Sequence, residues 1–445
     1  MNIVLLSGGS GKRLWPLSNE VRSKQFIKIF RGEDGEYESM VQRVYRQIRK
    51  VDGDANITIA TSKSQVSAIH NQLGEDVWLS VEPCRRDTFP AIALVSAYLH
   101  DVQAVPEDEV VVVCPVDPYV EDDYFEKLKH MGEVAEQGDS NLVLMGIEPT
   151  YPSEKYGYII PTTKEQISWV NSFKEKPSAS VAESYIEQGA IWNGGVFAYK
   201  LKYMLKKAHE LIDFTDYYDL LHRYDKLKKI SFDYAVAEKE DKIQVIRFHG
   251  SWKDLGTWNT LTEAMEENKV GDAIVGEDCE NVHIINELGV PVLCMGLKNV
   301  VISASAQGIL VSDKEQSSYI KNYVDHIDQQ IMFAEKSWGS YQVLDVQKES
   351  MTIIVTLNSG HQMNYHSHER RDEIWNVIEG KGHAIVDGNV RYVKAGDVIF
   401  MKAGSKHTLI ADTELKAIEV QLGKDISVQD KQKFNLKDDD RLLVI

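Results

Sequence analysis

The chain has 445 residues, 43% of them apolar, enough for two or three globular domains. Its net charge of −18, with no basic run longer than a few residues, argues against a duplex-binding surface, and no nucleic-acid partner is expected. No apolar run is long enough to cross a bilayer, and the start lacks the basic and long apolar regions of a secretion signal, so no membrane partner is expected.

Met1 to Leu6 read as a short apolar strand, followed by Ser7, Gly8, Gly9, Ser10, Gly11, Lys12 and Arg13. Three glycines after a strand let the backbone turn sharply, and successive N–H groups in such a turn cradle phosphate oxygens. Arg13 and Lys24 add full positive charges suited to a triphosphate. The spacing is neither the P-loop nor the dinucleotide fingerprint, so it points to a nucleotide site of another class. Taken alone, the glycine triplet serves equally well as a plain strand-to-helix turn.

Runs at 56–60, 109–114 and 141–146 have the composition of buried strands, with amphipathic stretches at 91–101 and 124–137 between them. This alternation predicts an α/β domain over 1–265 with a mainly parallel sheet and ligands at the carboxyl ends of its strands. Asp117, just past an apolar run, is placed to hold a metal ion, and Asp254 lies in the segment Trp252 to Trp258. Taken singly, each aspartate is as readily a cap or a turn residue.

Short β-rich pieces at 273–275, 282–285, 290–293 and 300–303 suggest a small β-solenoid connector over 266–335, ending in a helical linker over 319–335. From 336 onward, glycines punctuate short strands, as in an antiparallel jelly roll, with a charged tail from Asp430 to Ile445. In this last segment His366 and His368 lie two apart, facing one way on a strand, and Glu373 and His407 follow. Three imidazoles and a carboxylate make a ligand set for Zn²⁺, Mn²⁺, Fe²⁺ or Ni²⁺. The four cysteines, Cys84, Cys114, Cys279 and Cys294, have no CxxC spacing and read as reduced thiols of a cytoplasmic protein.

The stretch from Gly8 through Arg13-Leu14-Trp15-Pro16-Leu17-Ser18 to Lys24-Gln25-Phe26 resembles the signature of sugar-nucleotide pyrophosphorylases. Within that family it looks most like the mannose-1-phosphate guanylyltransferases. Ser23 stands where the family has proline, which predicts a looser loop before Lys24. Further matches follow in order: Glu82 to Ile92 with Arg86 and Pro90, Tyr156-Gly157-Tyr158-Ile159, Phe173 to Pro177 with Glu175 and Lys176, Trp192-Asn193, and Phe232 to Lys239. The resemblance implies a Rossmann-like nucleotidyltransferase domain that joins GTP to mannose 1-phosphate and releases pyrophosphate. It assigns the nucleotide to Ser7–Lys12, Arg13, Lys24, Glu82, Arg86 and Pro90. It assigns the sugar phosphate to Gly157, Glu175, Lys176 and Asn193, and Mg²⁺ to Asp117 and Asp254. Arg13, Lys24, Asp117, Lys176 and Asp254 are then the catalytic set. A phosphate monoester is already largely ionised near neutrality, so no general base is needed. Asp87 and Phe89 depart from the family where base contacts fall, leaving other nucleotides and other sugar 1-phosphates open.

The last segment resembles a cupin, and the pairing resembles bifunctional enzymes that also carry type II phosphomannose isomerase. Asn364, Ile374, Thr408, two extra residues between His368 and Glu373, and the missing acidic ending all depart from the isomerase pattern. The expectation is a metal-binding cupin, with Zn²⁺ or another divalent transition metal, that is a weak or inactive isomerase. Two alternatives remain: a bifunctional enzyme, and a non-enzymatic binder of sugar nucleotides. A homo-oligomer is a further expectation.

Overall fold

The computed structural model describes every residue except 10, 20, 328–329, 425, 427–429 and 437–445. Ser10 and most of the charged tail therefore lie outside the described residues. The chain divides into two compact units, one of residues 1–10 and 23–266, the other of residues 11–22 and 267–445.

The first unit is built on nine strands: β1 Asn2–Leu6, β2 Asn56–Ser62, β3 Trp78–Glu82, β4 Val110–Pro115, β5 Leu142–Ile147, β6 Tyr158–Pro161, β7 Ile167–Lys174, β8 Ile191–Lys200 and β9 Ile243–Phe248. They run in the order β3-β2-β1-β4-β8-β5-β9-β7-β6. The β3-β2-β1-β4 half is parallel, and β5 and β9 also pair parallel. The sheet as a whole is mixed rather than mainly parallel. β8 runs antiparallel to both β4 and β5, and β6 and β7 join as antiparallel strands. The glycine pair Gly194-Gly195 lies where the register of β8 against β5 shifts between Asn193 and Phe197. A bulge of this kind aims neighbouring side chains out of the regular ladder.

The helix Thr88–Asp101 follows β3 and is buried on nearly every side, with Ile92, Ala93, Leu94, Val95, Ala97 and Leu99 all in the core. A helix apolar all round must be covered on both sides. Here the sheet residues Val111 and Val113 and the later Leu201, Met204, Leu220 and Phe232 belong to the same core cluster.

In the second unit the solenoid rungs stack in parallel: Ala273–Val275 on Val292–Cys294, and His283–Asn286 between Lys269–Val270 and Val300–Ser305. Ala273, Val282, Ile284, Cys294 and Ile302 fill it. The helical linker expected over 319–335 is instead a 3-10 turn at Gln316–Tyr319 and one α-turn at Lys321–Val324, with a strand beginning at Phe333. Ile320 and Val324 give that stretch one turn's worth of buried apolar contact, too little to hold a longer helix.

The jelly roll has a six-stranded and a five-stranded sheet. Trp338, Val355, Leu357, Trp375, Val377, Leu409 and Leu415 pack in its core.

Candidate functional sites

The first site grows from the end of β1. Ser7 is fully buried, its N–H bonded to the Ala60 carbonyl and its side chain to Gln25 Nε2. Gly8 and Gly9 then emerge into open space, where an added Cβ would meet nothing within 4 Å. Gly9 has φ +136°, which a side chain would strain, so glycine is required by the backbone and not by crowding. Its carbonyl accepts hydrogen bonds from Arg85 Nη2 at 2.8 Å and Ser23 Oγ at 3.3 Å.

Ser23 does not loosen the loop. It is buried, and its hydroxyl also accepts from Gln65 Nε2 at 2.6 Å. One hydroxyl thus ties the glycine loop, the 23–26 turn and the segment after β2 together. Lys24 leaves that turn toward two carboxylates, 2.8 Å from Asp117 Oδ2 and 3.5 Å from Asp254 Oδ1, and donates to the Leu255 carbonyl at 3.4 Å. A two-stranded ribbon brings the aspartates together: Pro118–Val120 pairs antiparallel with Trp252–Asp254, setting Asp254 opposite Pro118. Burial by itself lowers the Lys24 pKa, but the attraction of Asp117 and Asp254 outweighs it, so the ammonium is held charged.

Beside Asp254, Tyr156 packs against Trp192 and Trp252 with ring centroids 4.9 and 5.6 Å away, and Tyr151 joins Trp192 at 5.2 Å. This aromatic wall leads to the residues that the resemblance assigns to the sugar phosphate. Gly157 is a close approach: a Cβ there would fall 2.5 Å from Glu175 Oε2. Glu175 Oε1 pairs with Lys176 Nζ at 2.5 Å, and Lys176 is more than half exposed with φ +47°. Asn193 donates to Asp233 Oδ1 at 2.7 Å and accepts from the Gly195 N–H. Burial first, then the nearby Glu175, pushes Asp233 up to about 6.

Among the residues that the resemblance assigns to the nucleotide, Glu82 accepts from Tyr224 at 2.9 Å and its pKa is raised by burial. Arg86 is turned to the Asp225 carbonyl, while its neighbour Arg85 reaches the glycine loop. Pro90 is buried in the first turn of its helix. Gly11, Lys12 and Arg13 form a 3-10 turn that groups with the second unit, where Lys12 pairs with Asp325 at 3.2 Å and Arg13 is exposed. Arg85, Gln65, Tyr224 and Asp233 were not singled out from sequence. Arg85 and Asp233 lay inside recognisable segments, but Gln65 and Tyr224 carry no local signal.

The second site lies between the jelly-roll sheets. His366 and His407 are a cross-strand pair in one sheet, with rings 4.4 Å apart, and Glu373 projects from the other. Glu373 Oε1 is 3.1 Å from His368 Nε2 and Oε2 is 3.1 Å from His407 Nε2. All four side chains are buried, and one ligand atom from each lies within 4.8 Å of the rest. The Nδ1–H of His366 donates to the Asn364 carbonyl, that of His407 to Ser405 and that of His368 to Asp430. Each Nε2 is thereby left as a lone pair, with the three Nε2 atoms and the Glu373 carboxylate drawn together. Burial pushes His366 down to about 2 and His368 to about 4, so both are neutral. Glu373 Oε2 and His407 Nε2 are buried without a hydrogen bond, which fits this donor set to a divalent cation.

Arg371 bonds to Glu373 Oε1 at 2.9 Å and to His368 Nε2 at 3.0 Å. Nearby, buried Glu419 is raised to about 7 by burial and then Glu373, and half-buried Lys431 is lowered to about 8 by burial.

A mixed α/β sheet with an open glycine loop tied through Ser23 to the turn that sets Lys24 against two aspartates, followed by a jelly roll with a His₃Glu cluster, defines a nucleotide-handling domain joined to a cupin. The nucleotidyl transferase family matches residues 2–270, and the chain belongs to that family. Residues 353–421 match the cupin domain family. The chain is 28% identical to the alginate biosynthesis protein AlgA of Pseudomonas putida, covering 97% of this chain and 95% of that one. It is 27% identical to mannose-1-phosphate guanylyltransferase 2 of Escherichia coli O157:H7, covering 98% of both chains. A crystal structure described as a mannose-1-phosphate geranyltransferase from Thermus thermophilus superimposes with TM-score 0.60 at 28% identity, over 73% of this chain and 98% of that one. Among the described residues, no helix is long and apolar enough to cross a membrane.

Proposed function

We propose that the first unit transfers a guanylyl group from GTP to mannose 1-phosphate, giving GDP-mannose and pyrophosphate. The observation that carries this reading is the convergence of Lys24, Asp117 and Asp254 within one nucleotidyl transferase domain. The nucleotide and sugar are those named for the full-length E. coli relative.

In this mechanism a sugar 1-phosphate oxygen attacks the α-phosphorus in line, and pyrophosphate departs. The N–H groups of Gly8 and Gly9 and the Lys24 ammonium neutralise the charge that builds on the leaving group. Asp117 and Asp254 are the residues that would hold Mg²⁺, which when bound screens the reacting phosphates from one another. Lys176 and Asn193 orient the sugar phosphate, and the aromatic wall of Tyr156 and Trp192 excludes water from it. Incubating the protein with GTP, mannose 1-phosphate and Mg²⁺ is expected to release pyrophosphate. Release only with another nucleotide or sugar phosphate would replace the substrates and keep the reaction.

The cupin is proposed to hold Zn²⁺ or another divalent transition metal through His366, His368, Glu373 and His407, and to be a weak mannose-6-phosphate isomerase at most. Thr408 donates to the buried Met363 carbonyl and offers no cation for a sugar phosphate. Robust conversion of fructose 6-phosphate by the full chain, abolished by His366→Ala, would make the protein bifunctional.

A further inference from the structure

Residues 11–22 lie in the chain between the glycine loop and Lys24, yet they belong to the second unit. Four contacts hold them there. Trp15 packs on Gly308, where an added Cβ would fall 2.5 Å from its ring. The Pro16 carbonyl accepts from the buried Ser305 hydroxyl at 3.0 Å. Lys12 pairs with Asp325. Arg22 makes the most directed contact: its Nη1 and Nη2 donate to the two carboxylate oxygens of Glu287, each at 2.8 Å.

This pair differs from an ordinary surface ion pair. Exposed pairs hold long side chains loosely and stabilise by about 0–1 kcal/mol. Here the arginine side chain is 14% exposed, and its guanidinium lies over the Phe333 ring, 5.1 Å from the centroid. Glu287 directly follows the rung strand His283–Asn286, and its N–H donates to the Ala304 carbonyl at 2.8 Å. The preceding Asn286 is buried, with its amide on the Asp272 and Val290 carbonyls. A two-pronged bond to a carboxylate on so fixed a base sets both the place and the plane of a guanidinium.

The backbone of Arg22 is held as well. Its carbonyl accepts from the Asn19 N–H at 2.9 Å, and its own N–H donates to Asn19 Oδ1 at 2.8 Å. The next residue is Ser23, whose hydroxyl donates to the Gly9 carbonyl, and the one after is Lys24, 2.8 Å from Asp117. A displacement of Arg22 therefore passes along two peptide bonds to Lys24, and through the Ser23 hydroxyl to the glycine loop. An ion pair that only fastened residues 11–22 to the solenoid could sit anywhere along them. This one sits on the residue before Ser23.

We propose that Glu287 is a positioning residue for nucleotidyl transfer, acting through Arg22 on Lys24 and the glycine loop. Glu287 touches neither substrate. It sets where the Lys24 ammonium and the Gly8 and Gly9 N–H groups meet the nucleotide, and it leaves the sugar phosphate to other residues. This inference rests on the proposed transfer from GTP.

The test is steady-state kinetics and a thermal melt of full-length Arg22→Gln, Glu287→Gln and the double variant. Each single variant is expected to lose about tenfold or more in kcat/KM for GTP, with the KM for mannose 1-phosphate and the melting temperature unchanged. The double variant is expected to be no worse than either single one, because the two residues act as a unit. Wild-type kinetics in Glu287→Gln overturn the proposal, and so do losses that multiply in the double variant. A loss that falls equally on both substrates, or that tracks a lowered melting temperature, reduces the pair to a structural brace and overturns it too. Should Glu287→Gln not fold, Glu287→Asp, which keeps the charge and breaks the two-pronged fit, carries the same expectation. Failure of the guanylyl reading shows separately, as no pyrophosphate from wild type with GTP. The cycle is then run with the nucleotide that does react, and the proposal falls if none does.

Discussion

Lys24 Nζ stands 2.8 Å from Asp117 Oδ2, a cation placed against a carboxylate that the proposed chemistry assigns to a metal ion. Both groups must then face the same phosphates, the lysine as a fixed charge and the aspartate as a ligand. Lys24→Ala is expected to lower turnover by about 10²-fold or more through lost charge stabilisation, with the fold retained. Pyrophosphate release and a thermal melt check this together. A near wild-type rate would remove Lys24 from the mechanism.

Asp254→Ala is expected to leave the protein folded and remove most turnover. Asp254 is about a third exposed at the end of a short ribbon, so its loss makes no core cavity. The Mg²⁺ dependence of the residual rate is the diagnostic measurement. It should shift to higher concentration if Asp254 is a ligand and stay fixed if Asp254 only positions Lys24.

The Ser23 hydroxyl is a second point of attack. Gln65→Ala removes the buried donor to Ser23 Oγ and strips Thr61 Oγ1 of its 2.9 Å partner. Leaving buried polar groups unpaired costs about 1–3 kcal/mol. Denaturant titration should show that loss, and nucleotide affinity should fall with it because the glycine loop is tied to Ser23.

Asp233 predicts a pH signature. Its folded value of about 6 lies above the ordinary 3.8, so between these values the folded chain binds a proton that the unfolded chain has released. Its contribution to stability therefore falls as pH rises from about 4 to 6 and is constant above. Asp233→Asn is expected to raise the melting temperature at pH 8 and to leave it nearly unchanged at pH 4. Equal shifts at both pH values would mean that charge is not the cause.

For the cupin, elemental analysis of protein purified with added Zn²⁺ is expected to show one bound metal, lost in Glu373→Gln. Burial holds His366 and His368 neutral, so neither has to shed a proton when the metal binds. Chelation should lower the melting temperature, since a ligand present at 100-fold over its Kd stabilises by about 2.7 kcal/mol.

Much of this architecture was legible in the residues. Strand runs such as Val110–Cys114 are too apolar to lie anywhere but in a covered sheet, and the rungs of the solenoid repeat at readable intervals. The direction of β8 was not legible, because a strand's composition is the same whichever way it runs. Nor was the role of Ser23, whose partner Gln65 lies 42 residues away and acts only through the fold. The His₃Glu cluster could be proposed from spacing. Its anchoring could not, because a backbone carbonyl leaves no trace in the identity of its residue.

Asp430 belongs to that last category. Its carbonyl fixes the tautomer of His368, its carboxylate accepts from the Glu369 and Arg370 N–H groups, and nearby Gln432–Lys433 pairs with the strand that bears His366. The cupin cluster is therefore closed by a segment that comes after the last ligand, His407, in the chain. During synthesis the histidines and the glutamate leave the ribosome before the segment that sets them in place. A nick or a bulky fusion just ahead of Asp430 would open the same latch in the finished protein.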